Sequence, residues 1–170
     1  PLGRLLLAAT PRGVVRVAFE TESEDDVLSE LAGSISPRVL AAPARLDGAA
    51  RELDEYFAGR RRDFDLDLDL ALARGFRQEV IALLPRIGYG RTASYREVAE
   101  LAGRPGATRA VGTACARNPL PLVLPCHRVV RTDGTIGEYR GGRVGKCSLR
   151  EREPAGSIIH VTHLLVGLRV

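Results

Sequence analysis

The chain has 170 residues, 45% of them apolar and 27% charged, with a net charge of +4. That is enough to bury a core in one compact domain or two small ones, and it argues against a disordered polymer. Three cysteines (115, 126, 147) and three histidines (127, 160, 163) lack metal-ligand spacing. A disulfide framework and a metal-built fold are therefore disfavoured, and a reduced, cytoplasmic setting is expected. Leu5-Leu6-Leu7-Ala8-Ala9 is too short for a signal h-region or a membrane span. A chain that opens at Pro1 and contains no methionine is expected to lack its native start.

The charge is unevenly placed. Residues 1–72 carry 9 arginines against 14 acids, whereas residues 73–170 carry 15 arginines and one lysine against 7 acids. A basic half beside an acidic half points to a polyanion partner on one face. The competing reading is surface scatter from an arginine-rich proteome, since arginine outnumbers lysine 24 to 1.

In chain order, residues 1–20 alternate short apolar runs around Pro11-Arg12-Gly13, which predicts a hairpin with residues 14–19 as its second strand. Residues 22–31 predict a surface helix. Residues 46–57 predict a better one, with Leu46, Ala49, Ala50, Leu53, Tyr56 and Phe57 on one side and Gly59 as its stop. Residues 63–70 alternate aspartate with Phe64, Leu66, Leu68 and Leu70, which predicts an extended segment with all four carboxylates on one side. A metal site is one use for such a face, and a solvated strand surface is the commoner one. Phe76, Val80, Leu83 and Leu84 then form a helical stripe that stops near Pro85 and Gly88. The domain boundary falls before it, giving domains of residues 1–72 and 73–170.

Ser94 with Glu97 three residues on is a capping box, opening a short helix that Gly103 closes. Arg104-Pro105-Gly106 makes a turn, and residues 107–117 form a second short helix before Asn118-Pro119. The pair reads as a helix-turn-helix. Its second helix is built from Ala107, Ala110, Gly112, Thr113, Ala114 and Ala116, from which Arg109 protrudes. A smooth helix with one arginine suits a narrow groove and a wedge or stacking role; the alternative use for small residues is tight helix packing.

Leu122-Val123-Leu124 ends at Pro125 and predicts a short buried strand that delivers Cys126 to its end beside His127. The chemical reading is a nucleophile next to a base; the plain reading is a buried cysteine acting as a small hydrophobe. Neighbouring residues of an extended chain point to opposite sides, which favours a water between Cys126 and His127 over direct contact. Cys115 and Cys147 carry no motif. His160 and His163, three apart in an apolar tail, are read as structural.

Ser94-Tyr95, residues 107–111, Asn118-Pro119, residues 124–130, residues 137–142 and Lys146 together resemble the O6-alkylguanine-DNA alkyltransferases. The likeness covers residues 75–153 strongly, and the end of the helix at residues 53–59 and Pro1-Leu2-Gly3 more weakly. It implies an α+β protein: an N-terminal ribonuclease-H-like α/β domain with a small antiparallel sheet, and a mainly helical, winged-helix-like C-terminal domain that carries the helix-turn-helix. It implies direct repair, in which an alkyl group on O6 of guanine in duplex DNA passes irreversibly to Cys126, with O4 of thymine as a second candidate substrate. Transfer to sulfur leaves a thioether that water does not reopen, so each molecule acts once.

By the same resemblance His127 is the base acting through water and Glu153 its orienting carboxylate. Tyr95 crowds the flipped nucleotide and protonates guanine N3, and Asn118 braces the turn between helix and active site. Arg109 fills the vacated stack, and Ala110, Gly112 and Thr113 line the DNA-facing helix. Arg96, Arg104 and Thr132 contact phosphate. Val129, Tyr139 and Arg140 wall the guanine pocket, with the carbonyls of Cys126 and Val129 accepting from the exocyclic amine. No metal, small-molecule cofactor or membrane is implied, the expected partner is DNA, and the expected state is a monomer.

The chain departs from the family pattern at Ile81, where tryptophan is common, at Gly88 in place of proline, and at Leu149-Arg150 in place of paired leucines. Its apolar residues 157–170 predict an added strand or a self-association surface. Two other functions stay open: a lesion-binding relative without transfer activity, which the presence of Cys126 disfavours, and a cysteine hydrolase, which gives the helix-turn-helix no purpose.

Overall fold

The computed structural model describes residues 3–155 and 162–168. Its elements in chain order are β1 (Arg4–Thr10), β2 (Gly13–Phe19), α1 (Glu24–Ser34), β3 (Val39–Ala41), α2 (Pro43–Phe57), α3 (Phe76–Leu83), β4 (Ala93–Ser94), α4 (Tyr95–Leu101), α5 (Thr108–Ala116), β5 (Val129–Val130), α6 (Gly142–Ala155) and β6 (Thr162–Leu168). They form two compact units, Pro1–Leu72 with Gly156–Val170, and Ala73–Ala155.

The first unit is built on a sheet of order β2-β1-β6-β3. The predicted hairpin is present, with Leu5 opposite Phe19 and Leu7 opposite Val17. Gly13 stands at its turn with φ 141°, and a Cβ there would lie 2.2 Å from the Asp67 carbonyl oxygen, so only glycine lets the loop pass. Leu6 and Ala8 on β1 cluster with Val27 and Leu31 of α1. The alternate residues Leu5 and Leu7 are fully buried as well, and α2 packs on β1 and β6; both faces of the sheet are covered. Helix α1 starts two residues later than predicted because Ser23 caps it, accepting from the Asp26 amide at 3.3 Å. Helix α2 starts earlier because Pro43 supplies a first turn whose missing N–H costs nothing.

Two expectations fail in this unit. Residues 63–70 form no regular strand beyond a single bridge from Leu68 to Val14. Their carboxylates do not share a solvated face: Asp63, Asp65 and Asp67 are exposed, but Asp69 is buried. Asp69 accepts from the Thr10 hydroxyl at 2.6 Å and from Arg12 Nε at 3.1 Å, and those bonds, not alternation, decide its side. The second failure is the assignment of all of residues 73–170 to one domain. Strand β6 lies inside the first unit's sheet, parallel to β1 and antiparallel to β3. Periodicity reports that a segment is apolar, but it does not report which edge the segment will pair with.

In the second unit α3, α4 and α5 pack on one another, with Val80, Ile81 and Leu84 fully buried. The capping box holds as read, Ser94 Oγ accepting from the Glu97 amide at 3.1 Å and Glu97 accepting from the Ser94 amide at 2.6 Å. Gly103, at φ 69°, ends α4. The strand predicted at residues 122–124 is absent: the chain turns there, with Leu122 at φ 76° and the Leu124 amide bonded to the Leu120 carbonyl at 2.8 Å. A buried leucine in the left-handed region is strained by about 1–3 kcal/mol, and the polar ties described next hold it there.

Candidate active site

Every residue from 118 to 130 is buried. Within this stretch the Asn118 side chain is spent entirely on the turn. Its Oδ1 accepts from the Leu120 amide at 3.0 Å, while Nδ2 donates to the Leu124 carbonyl at 2.8 Å and to Cys126 Sγ at 3.2 Å. One amide therefore fixes both ends of the loop and the thiol that the loop delivers. Cys126 opens a one-turn 3-10 segment, Cys126–Arg128, instead of ending a strand. Burial pushes its thiol up to about 11, against the opposing influence of the Asn118 hydrogen bond and the Lys146 charge. At neutral pH the resting group is a thiol, so a proton acceptor is needed before sulfur attacks.

His127 is fully buried. Its Nε2 lies 2.9 Å from Glu153 Oε1, which leaves the lone pair of the neutral ring on Nδ1. Burial lowers the imidazole's pKa, outweighing the carboxylate beside it; the ring is neutral at pH 7 and able to take a proton. Glu153 is also held by Arg128, whose Nε donates to both carboxylate oxygens at 3.0 and 3.1 Å and whose Nη2 donates at 2.9 Å, and by the Gly90 amide at 2.9 Å. Burial alone would raise this carboxyl, but His127 and Arg128 outweigh it and bring it down to about 2. Leu149-Arg150, one of the departures from the family pattern, does not move Glu153 out of reach.

The parallel ladder β4–β5 pairs Ala93 with Val129 and Ser94 with Val130, and so sets the start of α4 beside the cysteine turn. Tyr95, the first residue of α4, is buried and accepts a hydrogen bond from Lys146 Nζ at 3.2 Å. Burial raises its hydroxyl to about 12, and burial lowers Lys146. A Cβ on Gly137 would lie 2.1 Å from the Tyr95 hydroxyl, so the loop backbone is pressed against that oxygen. Tyr139 stands edge-on to His127 with ring centroids 6.5 Å apart. Val129 is fully buried and Arg140 half-buried.

The structure thus gathers Cys126, His127, Glu153, Asn118, Tyr95, Val129 and Tyr139 into one buried neighbourhood of the second unit. The expected DNA contacts lie elsewhere on that unit's surface. On α5, Val111, Ala114 and Cys115 face inward while Arg109, Ala110 and Thr113 are exposed, and a Cβ on Gly112 would meet nothing within 4 Å. The small residues therefore pack on one side and leave the other open. Thr132 is exposed; Arg96 pairs with Glu100 at 3.2 Å, and Arg104 pairs with Glu79 at 3.8 Å and covers the Phe76 ring. The site also includes two residues that the sequence reading did not select as members, Arg128 and Lys146. Each had a signal: Lys146 is the chain's only lysine, and Arg128 is a charge inside an apolar run, which demands a partner. No group of histidine, cysteine and acid side chains able to hold a metal occurs among the described residues, and no helix among them is long and apolar enough to cross a membrane.

Residues 1–70 match the model of the 6-O-methylguanine DNA methyltransferase ribonuclease-like domain, and residues 75–155 match that of the same enzyme's DNA binding domain. The chain belongs to the 6-O-methylguanine DNA methyltransferase family. Among the family's curated members, the methylated-DNA--protein-cysteine methyltransferase of Mycolicibacterium paratuberculosis is 37% identical over 159 residues, covering 91% of each chain. The crystal structure of Mycobacterium tuberculosis O6-methylguanine methyltransferase superposes with a TM-score of 0.70 at 32% identity, over 92% of this chain and 96% of that one. The M. tuberculosis enzyme in complex with DNA matches with a TM-score of 0.64 at 43% identity, over 68% of this chain and 70% of that one. The methyltransferase fold described here is α+β with both family domains.

Proposed function

We propose that this methyltransferase repairs duplex DNA directly, moving a methyl or larger alkyl group from guanine O6 to Cys126 in a single irreversible turnover. The observation that carries the reading is the pairing in one buried site of a protonated thiol, positioned by Asn118, with a neutral imidazole whose other nitrogen is committed to an ionised Glu153. His127 takes the thiol proton through one water, and its new charge is balanced by Glu153. The thiolate sulfur then bonds to the alkyl carbon as the carbon–O6 bond breaks and its electron pair passes to the guanine ring. Tyr95, which keeps its proton at neutral pH, donates it to guanine N3, and the Lys146 N–H stabilises the phenolate that forms.

A paired base does not bring its O6 to a buried sulfur, so the nucleotide must leave the stack. The exposed face of α5 fits the minor groove, with Arg109 filling the gap and Ala110, Gly112 and Thr113 allowing close approach. Arg96, Arg104 and Thr132 serve phosphate, and Val129, Tyr139 and Arg140 wall the guanine. Three free cysteines accord with a cytoplasmic location.

Intact mass measured after incubation with a duplex containing O6-methylguanine tests the transfer. A gain of roughly 14 Da on the Cys126 peptide is expected for thioether formation; binding without that gain would establish a lesion-binding protein instead. Arg109→Ala is expected to slow repair of duplex by on the order of tenfold or more while leaving reaction with free O6-benzylguanine near wild type, since only duplex requires flipping. Equal losses on both substrates would remove the finger role.

A further inference from the structure

Arg128 follows the putting-together of thiol and base in sequence but turns away from both, into the carboxylate behind the base. The residue is 4% exposed. Nε spans both oxygens of Glu153 at 3.0 and 3.1 Å, Nη2 adds a bond to Oε1 at 2.9 Å, and Nη1 donates to the Ile87 carbonyl at 2.6 Å. The Tyr89 ring covers it, with the guanidinium carbon 5.8 Å from the ring centroid. Glu153 Oε1, the oxygen that His127 uses, is thus shared between a permanent cation and a group that must stay neutral until it is needed. A carboxylate 2.9 Å from an imidazole favours the charged ring, and a charged imidazole accepts nothing; burial opposes that charge, and so does a cation that shares the carboxylate.

We infer that Arg128 is a positioning residue for the transfer reaction: by neutralising Glu153, including the oxygen that His127 uses, it helps keep His127 uncharged with its proton on Nε2 until Cys126 gives up a proton. The other groups around the ring do not supply this. Cys126 is a neutral thiol, Tyr139 presents a ring edge, and Lys146 is a cation that acts on the ring only through space. Of the charges near His127, Glu153 favours the imidazolium while Arg128 and Lys146 oppose it. The 3-10 turn makes the arrangement possible, because in an extended chain residues 127 and 128 would point to opposite sides, whereas here both reach one carboxylate.

The inference rests on His127 acting as the base, and the experiment separates the two. Rates of alkyl transfer from free O6-benzylguanine, which avoids the pH dependence of DNA binding, are measured from pH 5.5 to 9 for wild type, Arg128→Gln, Arg128→Lys and His127→Ala. In Arg128→Gln the acid limb is expected to move up by about one pH unit or more, with the rate lost at pH 6.5 recovered at pH 9. Arg128→Lys keeps the charge but not the two-oxygen grip, so its limb stays in place while the rate falls at every pH. Coincident limbs in wild type and Arg128→Gln overturn the inference, whatever the absolute rates; a wild-type rate in His127→Ala overturns the base itself. Nitrogen-15 NMR of the wild-type imidazole keeps the proposal open to refutation even if Arg128→Gln does not fold: a neutral ring protonated on Nε2 at pH 6.5 is expected, and an imidazolium there is fatal to the proposal.

Discussion

Among the described residues each unit of the protein buries one arginine, and the two are used differently. Arg16, on β2 of the first unit, is fully buried and clamps Glu22 and Glu30, whose side chains remain 16% and 39% exposed. Arg128, in the second unit, meets a carboxylate as buried as itself, 5% against 4% exposed, and that carboxylate holds His127 too. At the rim of the first unit water shares the charge, so an unpaired acid there can rehydrate. In the second unit nothing but protein compensates the charge, so changing any member alters the protonation of the rest. The difference between the two ion pairs lies in the burial of the acid and in the third group attached to it.

The largest expected effect follows from that asymmetry. Glu153→Gln leaves Arg128 as an uncompensated buried cation and should destabilise the protein by about 3–5 kcal/mol, with transfer slowed on the order of 10²-fold or more. Glu30→Gln should cost under about 1 kcal/mol, as partly exposed pairs do. Urea titration and single-turnover rates check both, and equal costs would end the distinction. Next comes a pair of glycines. Gly137→Ala drives a methyl into the Tyr95 hydroxyl and is expected to slow transfer by on the order of 10²-fold. Gly48→Ala, on α2 with open space around it, should add about 0.5–1 kcal/mol of stability and leave transfer unchanged.

A smaller effect is expected from pH, in calorimetric melts. His127 is depressed below its ordinary 6.5, so the unfolded chain binds the extra proton and stability declines as pH falls below about 6.5. Glu153, brought from 4.5 to about 2, contributes fully above about pH 4.5 and loses that contribution as pH falls toward 2. A melting temperature that stays level from pH 7 to pH 3 would show that neither group is coupled to folding. The smallest effect belongs to Arg16→Met, where an apolar chain of similar volume replaces the guanidinium and the two acids rehydrate at the rim. A change within about 1 kcal/mol and an unaltered transfer rate are expected.

Several parts of this site are legible in the residues alone because they are local. Ser94 and Glu97 cap α4 through bonds that span three positions, and Pro125-Cys126-His127 announces a thiol beside an imidazole. Asn118, eight residues from Cys126, still falls within reach of one loop. What was misread was misread for a physical reason: residues 122–124 have strand composition, but the Asn118 ties force a turn there, and residues 63–70 alternate perfectly while Thr10 and Arg12 draw Asp69 inward. The exposed and packed sides of α5 were indistinguishable until α3 and α4 were placed against it, because alanine, glycine and threonine suit both.

Sequence alone determined the chemistry available to this methyltransferase: a thiol, a base, a helix-turn-helix with a single protruding arginine, and a basic half to meet DNA. These depend on residue type and short spacing, which the chain carries in itself. Tertiary structure decided that Arg128, 25 residues from Glu153, shares its carboxylate with His127, that Lys146 donates to Tyr95 across 51 residues, and that β6 lies between β1 and β3. Burial is the reason: a charge or a polar edge taken out of water must find its partner wherever the fold places one, and that distance is not written in the local sequence.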